Sequence, residues 1–274
     1  MRRVIDLTGG YPRQRAFTLV EMIVSLVIAG VLLAMIGLFG RDQINAYLDV
    51  GNRADLADAA DTAVRRMARD LQSALPNSVR QSGNFLEFVP IRDAGRYRTD
   101  VNGTGGGNPL DFGSNTDDSF DVLGPPVTIR TGDQLVIYNL GQPGSDVYAG
   151  SSRRAATAGS GLSTVAFVTG GAQFPLASPQ NRFQIVDTPV TYECDLVRGA
   201  IIRHSGYGFQ SAIASVPWSY GGTSAVLVNN VSACTFSYSP AVLQRSGLVV
   251  ARLTLTRNGE SVELLHQVDV LNTP

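Results

Sequence analysis

Ala16-Phe17-Thr18-Leu19-Val20-Glu21, followed by Met22 to Gly40 without a charged residue, is the stretch that decides the architecture. The 19 residues from Met22 to Gly40 make about 28 Å of helix, enough to cross the hydrocarbon core of a bilayer. Upstream, residues 1 to 16 are polar and carry Arg2, Arg3, Arg13 and Arg15 against Asp6. Such a cationic flank stays in the cytoplasm, which sends everything after Arg41 to the other side. Glu21 stands at the edge of the span, where an unpaired carboxylate is unfavourable; insertion scales give on the order of 2 to 3 kcal/mol for a charge near the centre.

Beyond the span, Leu56, Ala60, Ala63, Met67, Leu71 and Ala74 recur every three or four residues, with Asp55, Asp58, Asp61, Arg65, Arg66, Arg69 and Asp70 largely between them. This is the pattern of an amphipathic helix ending near Pro76, its apolar stripe covered by a sheet or paired with another helix. Gly37, Gly40 and Gly51 are weak points where bending is expected. After Pro76 the periodicity becomes that of strands. Phe85–Ile91, Gln134–Leu140, Thr164–Val168, Arg182–Val186, Val190–Cys194, Ala200–His204, Ala225–Val228, Ala233–Tyr238, Leu248–Thr256 and Ser261–Leu271 are rich in branched and aromatic residues. Asn258-Gly259 between the last two is a hairpin signal. The fold class is α+β, one long N-terminal helix on a mainly antiparallel sheet domain. Residues 99–133 and 141–162, rich in Gly, Ser, Asp and Asn, read as long loops.

Composition narrows the chemistry. All 22 basic residues are arginine, so there is no lysine for a Walker A loop or a Schiff base, and an ATP motor is excluded. The net charge of -1 does not suit a nucleic-acid-coating protein, and none is expected as a partner. Cys194 and Cys234 are the only cysteines, which rules out a zinc site of paired CxxC motifs. They are expected to pair if the domain lies outside the cytoplasm, the alternative being two buried thiols.

Ala16 to Glu21 resembles the processing site of type IV prepilins, in which a small residue, usually glycine, precedes Phe-Thr-Leu and an acidic residue at the fifth mature position. Alanine stands here in the glycine's place and keeps that residue small. The resemblance implies a leader of residues 1–16, cleavage between Ala16 and Phe17 by a prepilin peptidase, N-methylation of Phe17, and a role for Glu21 in assembly with other subunits. Residues 17–40 would then be the transmembrane and assembly helix, 41–76 its amphipathic half, and 77–274 an extracytoplasmic β-rich domain. An ordinary secretory signal would carry its small-residue site after a shorter apolar core; an uncleaved anchor and a discarded signal peptide are the competing readings.

Tyr47-Leu48-Asp49-Val50, Leu75-Pro76-Asn77-Ser78-Val79, Gly95-Arg96-Tyr97-Arg98, Ser119-Phe120-Asp121-Val122-Leu123-Gly124 and His266-Gln267-Val268-Asp269-Val270 are similar to minor pilins of mannose-sensitive-haemagglutinin (MSHA) pili. That resemblance implies an inner-membrane protein with a periplasmic domain, later part of a surface pilus. Its partners would be the peptidase, major and minor pilins and the assembly platform. A minor pseudopilin of type II secretion and a membrane-anchored binding domain that never polymerises are the alternatives.

Enzymatic signals are sparse. His204 and His266 sit in strand-like sequence, outside HExxH or any nucleophile elbow, and no cofactor is implied. Asp111, Asn115 and Asp117 place oxygens at alternating positions as a calcium loop does, but Gly113 interrupts the spacing and the same residues suit Asx turns. Trp218 with Tyr220, and Arg96-Tyr97-Arg98, offer groups for a polymer ligand, against the simpler roles of core and surface.

Overall fold

A computed structural model describes residues 17–213, 217–240 and 246–273. The chain order is α1 (Leu19–Gln72), β1 (Arg80–Ser82), β2 (Phe85–Phe88), β3 (Ile91–Arg96), β4 (Ser119–Asp121), β5 (Val127–Ile129), β6 (Gln134–Val136), β7 (Arg153–Ala156), β8 (Gly159–Leu162), β9 (Thr164–Val168), β10 (Arg182–Val186), β11 (Val190–Asp195), β12 (Ala200–Ser205), β13 (Thr223–Asn229), β14 (Val231–Ser239), β15 (Gly247–Arg257) and β16 (Glu260–Val270). Two compact units result, Met1–Gly51 and Asn52–Pro274. In the first, the apolar part of α1 has a mean hydropathy of 2.8 over its 18-residue window, none of it buried, so it is long and apolar enough to cross a membrane.

In the second unit, Leu56, Ala60, Ala63, Val64, Met67 and Leu71 are buried, the helical stripe read from the sequence with Val64 added. The stripe contributes to a single core with residues of two antiparallel sheets, β1-β2-β11-β12-β13 and β14-β15-β16. Each large side chain so buried contributes roughly 1.5 to 3 kcal/mol. The helix ends at Gln72, ahead of Pro76. Asp70 in its last turn accepts hydrogen bonds from Tyr192 Oη (2.6 Å) and Arg203 Nε (3.1 Å), which fastens it to β11 and β12. Burial, and then the Asp70 carboxylate, push the Tyr192 phenol well up, so it stays a donor. Glu87, fully buried on β2, is satisfied by Arg80 and by Tyr207 Oη at 2.6 Å, as a buried charge requires. Cys194 on β11 and Cys234 on β14 form a disulfide, Cα to Cα 6.0 Å, that ties one sheet to the other.

The run Phe85–Ile91 is not one strand. It breaks after Phe88, and Pro90, which has no N–H for a ladder, stands in the gap before β3. There the chain leaves the core, and it returns where Val190 pairs with Phe88. The intervening residues build a second lobe. Its strands run β3-β10-β6-β7-β9-β4, and the sheet closes on itself where Tyr97 meets Val122, with Leu123 N on Arg96 O (2.8 Å) and Arg98 N on Asp121 O (3.0 Å). The result is a small six-stranded barrel filled by Tyr97, Phe120, Phe167, Phe183 and aliphatic neighbours. Gly95 on β3 is required by that filling, since a Cβ there would lie 2.7 Å from the Phe183 ring.

The loops read at 99–133 and 141–162 are thus corrected: they contain β4 and β5, and β7 and β8. These strands are only three or four residues long, too short for an alternation to show. In the other direction, the run Gln134–Leu140 stops as a strand at Val136, ahead of Tyr138, whose φ is 50°.

Two predictions follow from these links. Replacing both Cys194 and Cys234 by alanine removes a cross-link spanning 40 residues, which should lower stability by about 4 kcal/mol and Tm by about 10 °C in calorimetry of the detergent-solubilised chain. Asp121, at the barrel closure, is held below the usual carboxylate range first by the Asn108 backbone N–H and then by Thr164 and Arg98, against partial desolvation. A carboxylate depressed in the folded state stabilises above its unfolded value of about 3.9 and loses that contribution as pH falls through the folded value. Asp121→Asn should therefore lower Tm at pH 7, and the gap to the parent should narrow at pH 3.

Candidate processing and assembly site

The start of α1 is capped by its own sequence. Thr18 is the N-cap: its carbonyl accepts from Glu21 N (3.1 Å) and Met22 N (3.2 Å), and its hydroxyl from Glu21 N (3.3 Å). Thr18-Leu19-Val20-Glu21 has the spacing of a capping box, a hydroxyl followed three residues later by a carboxylate. Phe17 and Met22 then occupy the positions of a hydrophobic staple, and both line one shallow groove with Ser25, Leu26 and Ala29. Phe17 is 74% exposed. Ala16 and the rest of the leader lie outside the described residues.

Glu21 is exposed in the first turn, where the unpaired N–H groups and the helix dipole favour a negative charge. The carboxylate therefore suits the position even before any partner is supplied. Ser25 Oγ donates to the Glu21 carbonyl (2.7 Å), which satisfies a hydroxyl inside an otherwise apolar helix.

Elsewhere the structure gives the remaining candidates ordinary work. Asp111 Oδ1 accepts from Gly113 N (2.8 Å), Asp117 Oδ2 from Asp111 N (2.6 Å) and Asn115 Oδ1 from Gln173 N (3.2 Å). The amide of Gln173 donates to the carbonyls of Asp111, Ser114 and Asp117 at 3.0 to 3.2 Å, so an uncharged donor clips this loop together. Among the described residues no group of three or more His, Cys, Asp and Glu is placed to hold a metal ion. Gln173 was invisible in the sequence, because a single glutamine has no spacing to recognise.

His204 is a buried residue of β12, with Nδ1 at 2.7 Å from Ser224 Oγ and Nε2 at 2.9 Å from Glu193. These partners come from the neighbouring strands β11 and β13, a juxtaposition set by sheet order. His266 is on β16. Tyr97 of the Arg96-Tyr97-Arg98 motif is fully buried in the barrel, and Arg98 pairs with Asp121 at 3.2 Å. The motif thus closes the lobe. Trp218's side chain lies outside the described residues, while Tyr220 is exposed.

The model of the prokaryotic N-terminal methylation motif matches residues 11–37. No curated protein and no solved structure matches the chain. Together with the α+β architecture, the motif supports a type IV pilin-like protein. Proteins of that type are structural rather than enzymatic, and the motif implies a prepilin peptidase, a membrane anchor and an assembly context.

Thr18→Ala should remove about 1 kcal/mol from the helix start. Amide exchange of Glu21 and Met22 in detergent micelles should accelerate roughly fivefold, with exchange in the β strands unchanged.

Proposed function

We propose that the chain is a minor pilin of an MSHA-type type IV pilus, acting at assembly initiation or at the filament tip. In this reading a prepilin peptidase cuts between Ala16 and Phe17 and methylates the Phe17 amine. Residues 17–40 remain as the span and assembly helix, and the rest of the chain lies in the periplasm until incorporation. The observation that carries this is a coincidence of position: the Phe-Thr-Leu-Val-Glu run forms the helix cap, and the charge-free span begins immediately after it.

The physical logic follows from the new terminus. Cleavage places a positive amine one helical turn from Glu21. That carboxylate can neutralise its own amine or, when apolar helices bundle, the amine of a neighbouring subunit. Bundling removes the exposed apolar helix from lipid or water, and the charge pair fixes the axial register of one subunit against the next.

Intact mass and N-terminal sequencing of the protein made with and without a prepilin peptidase test the reading. The expected product begins at methylated Phe17 and forms only with the peptidase. A product beginning downstream of Gly40, or one that keeps Met1 in cells containing the peptidase, would overturn it. Glu21→Val should leave cleavage intact and abolish recovery of the protein in sheared filaments; a solitary anchored domain would be indifferent to that change.

A further inference from the structure

The outer face of the barrel holds two like charges side by side. Arg96 on β3 and Arg182 on β10 stand directly opposite each other in the ladder. One step along, Tyr97 N donates to Asn181 O (2.8 Å), so the arginines form a pair without hydrogen bonds of its own, the kind whose side chains stand closest, about 4.5 Å between Cα atoms. Like charges placed in this way are destabilising. Arginines nearby in the chain are neutralised, Arg92 by Asp133 and Asp187 and Arg98 by Asp121. Among the described residues Arg96 and Arg182 pair with no carboxylate. Arg182 Nη2 donates to the amide oxygen of Gln180, and Asp93 accepts instead from the backbone N–H groups of Ala94 and Thr128 (2.8 Å each).

The same face holds an orphaned acceptor. Phe183 and Ile185 fill the barrel, so alternation puts Arg182 and Gln184 on its outside. Gln184 is only 7% exposed, with Ala94 opposite it on β3 and Val136 on β6, and its Oε1 has no hydrogen-bond partner. Leaving a buried acceptor in this state is costly, and native proteins keep few such groups. Ala94 is exposed and contributes only a methyl, which keeps the face low beside Gln184 and the two guanidinium groups.

We propose that this patch of β3 and β10 binds the carboxylate end of an acidic sugar. A carboxylate between Arg96 and Arg182 replaces their repulsion with two charge-assisted contacts, and its planar oxygens match the guanidinium fork. Gln184 specifies the rest of the ligand, because Oε1 needs a donor close to the anionic group. A hexuronic acid has hydroxyls on the carbons next to its carboxylate. The phosphodiester of DNA offers only acceptors there, which makes it the poorer fit. The site lies wholly within the barrel and is independent of the pilus reading.

The test is calorimetric titration of the full chain, in detergent micelles at fixed ionic strength, with a trisaccharide of galacturonic acid. Binding should be saturable, and absent for the neutral galactose trisaccharide. Arg96→Gln and Arg182→Gln should each weaken it by roughly tenfold or more. Without ligand, both variants should keep or exceed the parent Tm, since each relieves the repulsion. Gln184→Met keeps the bulk and removes the acceptor; it should weaken the sugar acid by about fivefold and leave the weaker binding of inorganic sulfate unchanged. Sulfate bound as tightly as the sugar acid would reduce the patch to a cation cluster and overturn the proposal. So would affinity unchanged in both arginine variants, no saturable binding of the trisaccharide, or tighter binding of a single-stranded DNA oligonucleotide.

Discussion

A single helical stripe, Leu56 to Leu71, holds the folded unit together by supplying the shared face for two separate sheets. Neither sheet could bury its inner face alone, since the smaller has only three strands. Ala60 and Ala63 keep the stripe narrow, so strands of both sheets approach the helix closely, while Leu56, Met67 and Leu71 supply the bulk. The disulfide and the Asp70 cluster act on the same arrangement. One joins the sheets covalently and the other pins the helix end to β11 and β12. By comparison, the exposed pairs Arg53–Glu260 and Arg257–Asp55 are worth at most about 1 kcal/mol each and mark the meeting of helix and hairpin more than they enforce it.

The barrel is tolerated because of where it is inserted. Phe88 and Val190, which bracket it, are already paired neighbours in the five-stranded sheet, and Ile91 and Val186 are paired at its own base. The added chain therefore begins and ends at one point, and the pilin-like core is continuous without it. Closing the sheet removes the edges that short strands would otherwise expose, and the aromatic filling gives the lobe its own core. A junction cluster of Leu75, Val89, Val136, Val147, Tyr148 and Val186 joins it to the rest.

The first unit follows a different rule. Its apolar side chains are exposed, and among the described residues its side-chain hydrogen bonds are those of Thr18 and Ser25. In the second unit apolar residues of the helix find partners within the chain; in the first they must find them in lipid or in other helices. The cap at Thr18 and the carboxylate at Glu21 give that interaction a defined starting point along the axis.

By itself the sequence determined the charge-free span, the processing-site-like Ala16 to Glu21 run, the amphipathic continuation and eight or so of the longer strands. Each is encoded by neighbours a few residues apart, in hydropathy period or spacing. The pairing of Cys194 with Cys234, the only two cysteines, was expected from the sequence and is present in the structure, whereas tertiary structure alone decided the clip made by Gln173, the polar partners of His204 and the barrel itself. Those depend on residues far apart in the chain. The barrel's shortest strands, β4 and β6, are three residues long and are strands because of their partners in the ring, not because of any pattern of their own.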